Sequence, residues 1–495
     1  MKYTVRLCAA VLALAEFGSI LASCGSSEPA DTKTTEAATG DAAAVTEEST
    51  TDYMPAFPEK DYGGDEFQFL TSDETDDNGS DWITKDIYAE STTGDVITDA
   101  VYARNMWLEE TFNISITEFQ CATMAETKKA VQAGVTEYDA VITAIANGCS
   151  MGAEGYILDL QEVPYIDLTQ PWWDQGIVRD VTIADRTYIA TGDISIVDND
   201  ATWVLMFNKQ MAQNNDYDLY QLVRDNQWYF ETMYDMVVEC SKDLDGDGKM
   251  NWEYDQFGFV STSNSAQGLM YASGLTLSSR DSDGYPTIST DLEKLTEVVV
   301  KAGTLMSDKN ITILAENITG VTSSTDETRF LFEGGRGLFY GEVMQCVTRM
   351  RDSTTDFGLI PWPKFDEGQE NFYNYMHSTA GKGVCIPTTQ LDPEMAGIII
   401  EAMAAKSVST TTEAYYDKAL TYKYMRDEES AQMLDIILAN RLYDLAYSYN
   451  WGSLYGQIQA LILNGKDTVA STWDKRLSAA EKAMQKTIDA YKENE

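Results

Sequence analysis

The run Asp243-Leu244-Asp245-Gly246-Asp247-Gly248-Lys249-Met250-Asn251 places oxygen ligands at positions one, three, five and nine of a loop, with glycine at position six for a sharp turn. Hard carboxylate and amide oxygens at that spacing are what a calcium ion takes. Position twelve, where a bidentate glutamate belongs, holds Tyr254, flanked by Glu253 and Asp255. Two readings stay open: a structural Ca2+ held by Asp243, Asp245, Asp247, Lys249, Asn251 and Asp255, or an acidic turn without metal. Catalytic chemistry finds less support. There is one histidine, His377, so Ser-His and Cys-His schemes rest on that residue alone, and no nucleophile elbow, phosphate loop or dinucleotide fingerprint stands in a suitable context. No catalytic cofactor is expected. The 80 acidic residues always allow some carboxylate pair, so a paired-carboxylate glycoside hydrolase remains an alternative to a protein that only binds. Ten Trp and 28 Tyr exceed what packing alone requires and supply flat faces for a ligand.

Elements must position these groups. Glu66–Leu70 reads as a short buried strand, followed by a polar loop over 71–81. Val101, Met106, Leu108 and Phe112 recur at near-helical spacing, and Ile114-Ser115-Ile116-Thr117 alternates as a strand. A helix near Lys128 and the apolar strand Tyr138–Ile142 complete a β-loop-α-β-α-β order, which predicts a parallel sheet covered by helices. A second α/β pattern runs through Trp228–Glu239, Phe257–Val260 and Leu292–Met306. Strand-like segments at Tyr188–Ala190 and Trp203–Phe207 surround a loop over 192–200, which we read as a crossing between lobes. FLFEGGRGLFYGEVM, residues 330–344, combines an apolar strand with turn glycines and reads as the return crossing. Asp392-Pro393 opens a helix with aspartate as N-cap and proline at the first helical position. Trp473, Leu477, Ala480, Met484, Ile488 and Tyr491 form the apolar stripe of a terminal helix.

At 495 residues the chain is too long for one ordinary core, so at least two lobes are expected. Its formal charge of −45 repels a polyphosphate backbone and excludes nucleic acid as a partner. Lys2 and Arg6 precede an apolar run over 7–14, and Leu21-Ala22-Ser23-Cys24 then sets small residues before a cysteine. This resembles the bacterial lipobox, which implies cleavage before Cys24 and a diacylglycerol on its thiol; Glu16 inside the apolar stretch departs from the pattern. The stretch is well short of the roughly 20 residues a bilayer span needs. Residues 25–62 carry almost no large aliphatics and read as a tether. Cys121, Cys149, Cys240, Cys346 and Cys385 remain, an odd, widely spaced set that forms neither a disulfide framework nor a thiolate metal site.

Several pieces in order resemble the extracellular solute-binding protein family 1, the maltose-binding-protein-like components of ABC importers. They are the lipobox, Leu108-Glu109-Glu110-Thr111-Phe112-Asn113-Ile114, Met206-Phe207-Asn208-Lys209, Phe332-Glu333-Gly334-Gly335-Arg336-Gly337, Phe357-Gly358-Leu359-Ile360-Pro361-Trp362-Pro363, and Leu461-Ile462-Leu463-Asn464-Gly465-Lys466-Asp467-Thr468-Val469. The resemblance implies an α/β, two-lobed, type II binding-protein fold with a ligand cleft between lobes. It implies capture of a sugar or oligosaccharide and delivery to ABC permease subunits, by a monomer lipid-anchored at the extracellular face of the cytoplasmic membrane. The divisions are a signal over 1–23, a tether over 24–62, one lobe from 63–203 with 338–406, and the other from 204–337 with 407–495. By family position the cleft is lined by Asp73, Glu74, Trp82, Thr143, Asn147, Asp198, Asp200, Asn264, Gln267, Glu342, Trp451 and Tyr455. Trp451 stands where maltodextrin binders carry a stacking Trp, while Pro171-Trp172-Trp173-Asp174 falls away from the cleft and reads as core. A cationic solute such as a polyamine or peptide is the rival ligand class.

Overall fold

Alternation and capping produce the elements that the pattern predicts. In the computed structural model, which describes residues 54–55, 57–76, 82–416 and 428–494, the strand Asp65–Ser72 buries Phe67, Phe69 and Leu70. Helix Val96–Phe112 starts at Asp95, whose side chain accepts from Ile97 N and Thr98 N. It ends at Asn113, whose left-handed backbone (φ 51°) turns the chain straight into strand Ile114–Cys121. Asp61 and Tyr62 reach this corner through Asn113 and Phe112, and Phe57 packs edge-on against Phe112. Ordered packing thus begins before residue 63, a correction to the tether's predicted end. The signal, Cys24 and most of the tether lie outside the described residues.

Two sheets carry the architecture. The first has the order Lys382–Cys385, Ala140–Ala144, Asp65–Ser72, Ile114–Cys121; its last three strands are parallel and Lys382–Cys385 is antiparallel to its neighbour. The second has the order Phe357–Ile360, Trp203–Asn208, Gly337–Val343, Phe257–Ser261, Thr312–Leu314. Trp203–Asn208 runs antiparallel to both of its neighbours, and the remaining pairs are parallel. One face of the first sheet packs on helix Pro393–Ser407 around Phe69, Ile142, Val384 and Ile399. One face of the second packs on helices Ser324–Glu333 and Glu428–Ala439 around Met206, Phe332, Tyr340 and Leu434. A third apolar cluster joins Leu70 and Val141 to Leu205 and Phe259, so the two lobes share a continuous core.

The return crossing differs from expectation. Phe330–Phe332 belong to helix Ser324–Glu333, capped by Ser323, whose hydroxyl accepts from Asp326 N. Gly334 and Gly335, the latter at φ 73°, then turn the chain into strand Gly337–Val343. That strand is buried along its whole length and pairs on both sides within the second sheet, so residues 338–360 belong with the second lobe rather than the first. The chain returns to the first sheet only between Ile360 and Lys382. Asn374–Tyr375 of that return pairs with Arg441–Leu442. Among the described residues no helix is long and apolar enough to cross a membrane.

Candidate functional site

Two adjoining cavities open where segments from both sheets meet. The outer, about 480 Å3, is lined from the first lobe by Trp82, Lys85, Asp86 and Thr98, from the crossing by Val197 and Asp200, and from the second lobe by Met344 and Arg349. The inner, about 310 Å3, is lined by Trp82, Trp203, Asn264, Glu316, Glu342, Arg349 and His377. Trp82 and Arg349 border both, so the two cavities share an aromatic side chain and a cationic one.

Each cavity holds a buried carboxyl group. Asp86 is 1% exposed; its Oδ2 accepts from Ile196 N at 2.6 Å, and its Oδ1 has no hydrogen-bond partner. Burial raises its pKa against the pull of that N–H and of Arg104, which is itself pinned to the Asp86 and Ile87 carbonyls at 2.9 Å each. Glu342 lies near the end of strand Gly337–Val343 and accepts from Val343 N at 3.0 Å; burial pushes it up to about 7, with Arg349 drawing it down. Other acidic groups of the inner cavity are engaged: Asp326 with Arg329 at 2.9 Å, and Glu316 with Ser263 N and Oγ. Trp203 also lines this cavity, and its indole Nε1 is buried without a partner. His377 lines the same cavity, held neutral by burial that lowers its pKa to about 4. These groups can donate to and accept from hydroxyls around an aromatic face.

The structure brings together four of the predicted residues, Trp82, Asp200, Asn264 and Glu342, on the cavity walls, while Tyr455 lies off them, its ring 4.3 Å from that of Tyr447. The rest lie elsewhere. Asp73 and Glu74 line neither cavity, and Asp73 caps its own turn through Thr75 N and Oγ1. Thr143 is buried against Thr123. Asn147 and Gln267 are buried off the walls, each with one unpartnered atom, Nδ2 and Oε1 respectively. Asp198 is buried in an ion pair with Arg441 at 2.9 Å, which also binds Asp174 at 2.5 Å; it serves the crossing and not the cleft. Trp451 is core: it is 1% exposed, stacks on Tyr449 at 5.3 Å and donates from Nε1 to Thr487 at 3.1 Å. Trp172 and Trp173 are core as well, both donating to the buried Glu401. Asp86, Trp203 and His377 escaped the sequence reading. A Trp in an apolar strand reads as packing, and only its missing partner marks it as something else.

The acidic loop closes on itself. Asp243 accepts from Gly246 N and Gly248 N, Asp245 from Asp247 N, and Asp247 from Lys249 N. Carboxylate oxygens of Asp243, Asp245 and Asp247 lie within 4.8 Å of one another. Asp255, fully buried, accepts from Leu244 N at 2.8 Å and Asn251 N at 2.6 Å, tying both ends of the loop together. Asn251 accepts from Glu253 N, while Tyr254 points outward, 57% exposed. The five cysteines are free thiols, four of them buried, and burial raises the pKa of each.

No protein-family model matches the sequence, and no curated protein matches it. Solved structures share its fold. The maltose/maltodextrin-binding domain MalE from Bdellovibrio bacteriovorus, bound to maltotriose, superposes with a TM-score of 0.53 at 13% identity, over 85% of this chain and 100% of that one. UspC from M. tuberculosis gives 0.55 at 12% identity, over 84% and 100%. A sugar transporter protein from Rhizobium etli, in an open conformation, gives 0.55 at 13% identity, over 84% and 99%. The chain therefore has the α/β, two-lobed, type II binding-protein fold that the sequence resemblance implied.

Proposed function

We propose that this protein captures a carbohydrate between its two lobes and delivers it to an ABC permease, doing no chemistry on it. The observation that carries the reading is Trp82 bordering two polar cavities, each with a buried carboxyl group, Asp86 in one and Glu342 in the other. Sugar rings present apolar C–H faces that stack on indole and hydroxyls that bond carboxylates, and this arrangement offers both within one cleft. Ligands between hinged lobes are deeply buried, and closure converts occupancy into a shape that a permease can read. Proteins of this fold with maltotriose in place support the ligand class. In the same proposal, Cys24 carries the lipid that holds the protein at the outer face of the membrane.

The test is calorimetry of the purified chain with maltotriose and a panel of neutral oligosaccharides and polyamines, with the saccharide recovered afterwards. Saturable binding of a saccharide, returned intact, is the expected result, and Trp82→Ala weakens it about tenfold, roughly 1.4 kcal/mol. Cys24→Ser leaves the protein unlabelled by lipid and out of the membrane fraction. Binding confined to polyamines, or a shortened saccharide, would sink the reading.

A further inference from the structure

Two ring nitrogens of the inner cavity are unused by the protein. Trp203 lies at the start of the strand Trp203–Asn208, 1% exposed, and its Nε1 makes no hydrogen bond. An indole N–H can only donate, and a buried donor left unpaired is costly, so whatever completes this cavity must bring an acceptor. His377 turns Nδ1 towards two hydroxyls, Thr379 Oγ1 at 2.9 Å and Tyr447 OH at 3.3 Å, while its Nε2 makes no hydrogen bond among the described residues. A hydroxyl that donates to Nδ1 leaves the ring proton on Nε2, which then faces the ligand as a second donor.

Backbone pairing brings the segments that carry the two rings together. Thr202 and Met376 form an antiparallel bridge, and His377 N donates to Ala201 O at 3.2 Å. Edge-on contacts of the His377 ring with Tyr447 (6.0 Å, 85°) and a tilted contact with Tyr375 (6.0 Å) fix its plane. Both rings line the same 310 Å3 space.

We propose that Trp203 and His377 are the specificity pair of the inner cavity, donating from Nε1 and Nε2 to the two lone pairs of one hydroxyl oxygen on the ligand's inner sugar ring. This rests on the carbohydrate reading above. A sugar with that hydroxyl inverted or absent leaves the Trp203 N–H buried and unpaired. Sites built to bond a substrate hydroxyl reject analogues lacking it far more strongly than apolar pockets reject a lost methylene. The pair therefore selects configuration, while stacking on Trp82 is tolerant of it.

The experiment measures affinities of gluco-, galacto- and manno-configured di- and trisaccharides, maltotriose included, for the wild type and for Trp203→Phe, His377→Phe and His377→Gln. The wild type is expected to prefer one configuration. Each Phe variant loses about tenfold or more for that saccharide and little for the others, so selectivity collapses. His377→Gln, whose amide nitrogen reaches towards the Nε2 position, recovers part of the preference, a rescue that a packing role would not produce. Melting temperature is followed throughout, and if Trp203→Phe fails to fold the His377 pair decides. Wild-type selectivity in both Phe variants, or a wild type indifferent to configuration, overturns the pair. A wild type that binds no saccharide overturns the carbohydrate reading itself, and the pair with it.

Discussion

At the scale of single residues, Trp82 and Trp451 show how one residue type serves opposite ends. Trp82 is half-buried and borders both cavities; Trp451 is sealed between Tyr449 and helix Val469–Glu493. Large-to-small changes at such a core position cost about 3–5 kcal/mol, through lost burial and the cavity left behind. Trp451→Ala is therefore expected to lower the denaturation midpoint substantially while the folded fraction keeps its ligand affinity; lost affinity at unchanged stability would return Trp451 to the cleft. The sequence marked both tryptophans by family position, but it had no means of showing burial. Asn450 at φ 49° and Ser453 at φ 53° bracket Trp451 in left-handed backbone and turn it inward, a bend that neither residue type announces in the sequence. Asp86 was equally silent, an aspartate in a polar loop whose burial depends on Ile196, 110 positions away. Trp82, Asn264 and Glu342 were legible because each lies in or after a strand whose pattern is plain, Asp65–Ser72, Phe257–Ser261 and Gly337–Val343.

At the scale of elements, local signals were read correctly where two of them agreed. Asp392 and Pro393 both announce helix Pro393–Ser407, and Asp392 Oδ1 accepts from Met395 N at 3.0 Å as an N-cap should. Phe330–Phe332 misled because three apolar residues fit a strand or a buried helix end equally well. The Ser323 cap and the paired glycines after Glu333 settle it as helix. The acidic loop poses a sharper question, because its fit to a calcium pattern obscured what Asp255 does. Both of its oxygens accept backbone N–H groups in a buried setting, and hydrogen bonds to a charged group are worth about 1.5–3 kcal/mol each. Asp255→Ala strands both donors and is expected to destabilise the protein by about 2–4 kcal/mol, whereas Asp255→Asn keeps one acceptor and loses roughly half as much. Urea unfolding in chelator isolates this contribution from any ion. Equal midpoints for the wild type and Asp255→Ala there would show that the loop does not depend on this residue.

At the scale of the whole molecule, charge and burial act together on stability. Burial raises Glu118, Glu342 and Glu401 to about 7 and Asp193 to about 6, well above the ordinary carboxylate range. Between those limits the folded chain holds protons that the unfolded chain has released. Stability contributed by these groups is thus fully present below the unfolded pKa values and is lost as pH rises through 6 to 7. A formal charge of −45 gives the same sign, because a compact acidic body repels itself more strongly as its last carboxyls ionise. Composition foretold the second effect; the first depends on which of the 80 acidic residues the fold buries, which no local pattern reveals. The melting temperature is accordingly expected to be higher at pH 5.5 than at pH 8. Salt separates the two causes, since half-molar salt screens surface repulsion but leaves buried groups largely unscreened. A slope that survives salt and is reduced by Glu342→Gln belongs to the buried carboxyls. Stability that rises with pH in high salt would mean instead that these groups are ionised and well paired in the folded protein.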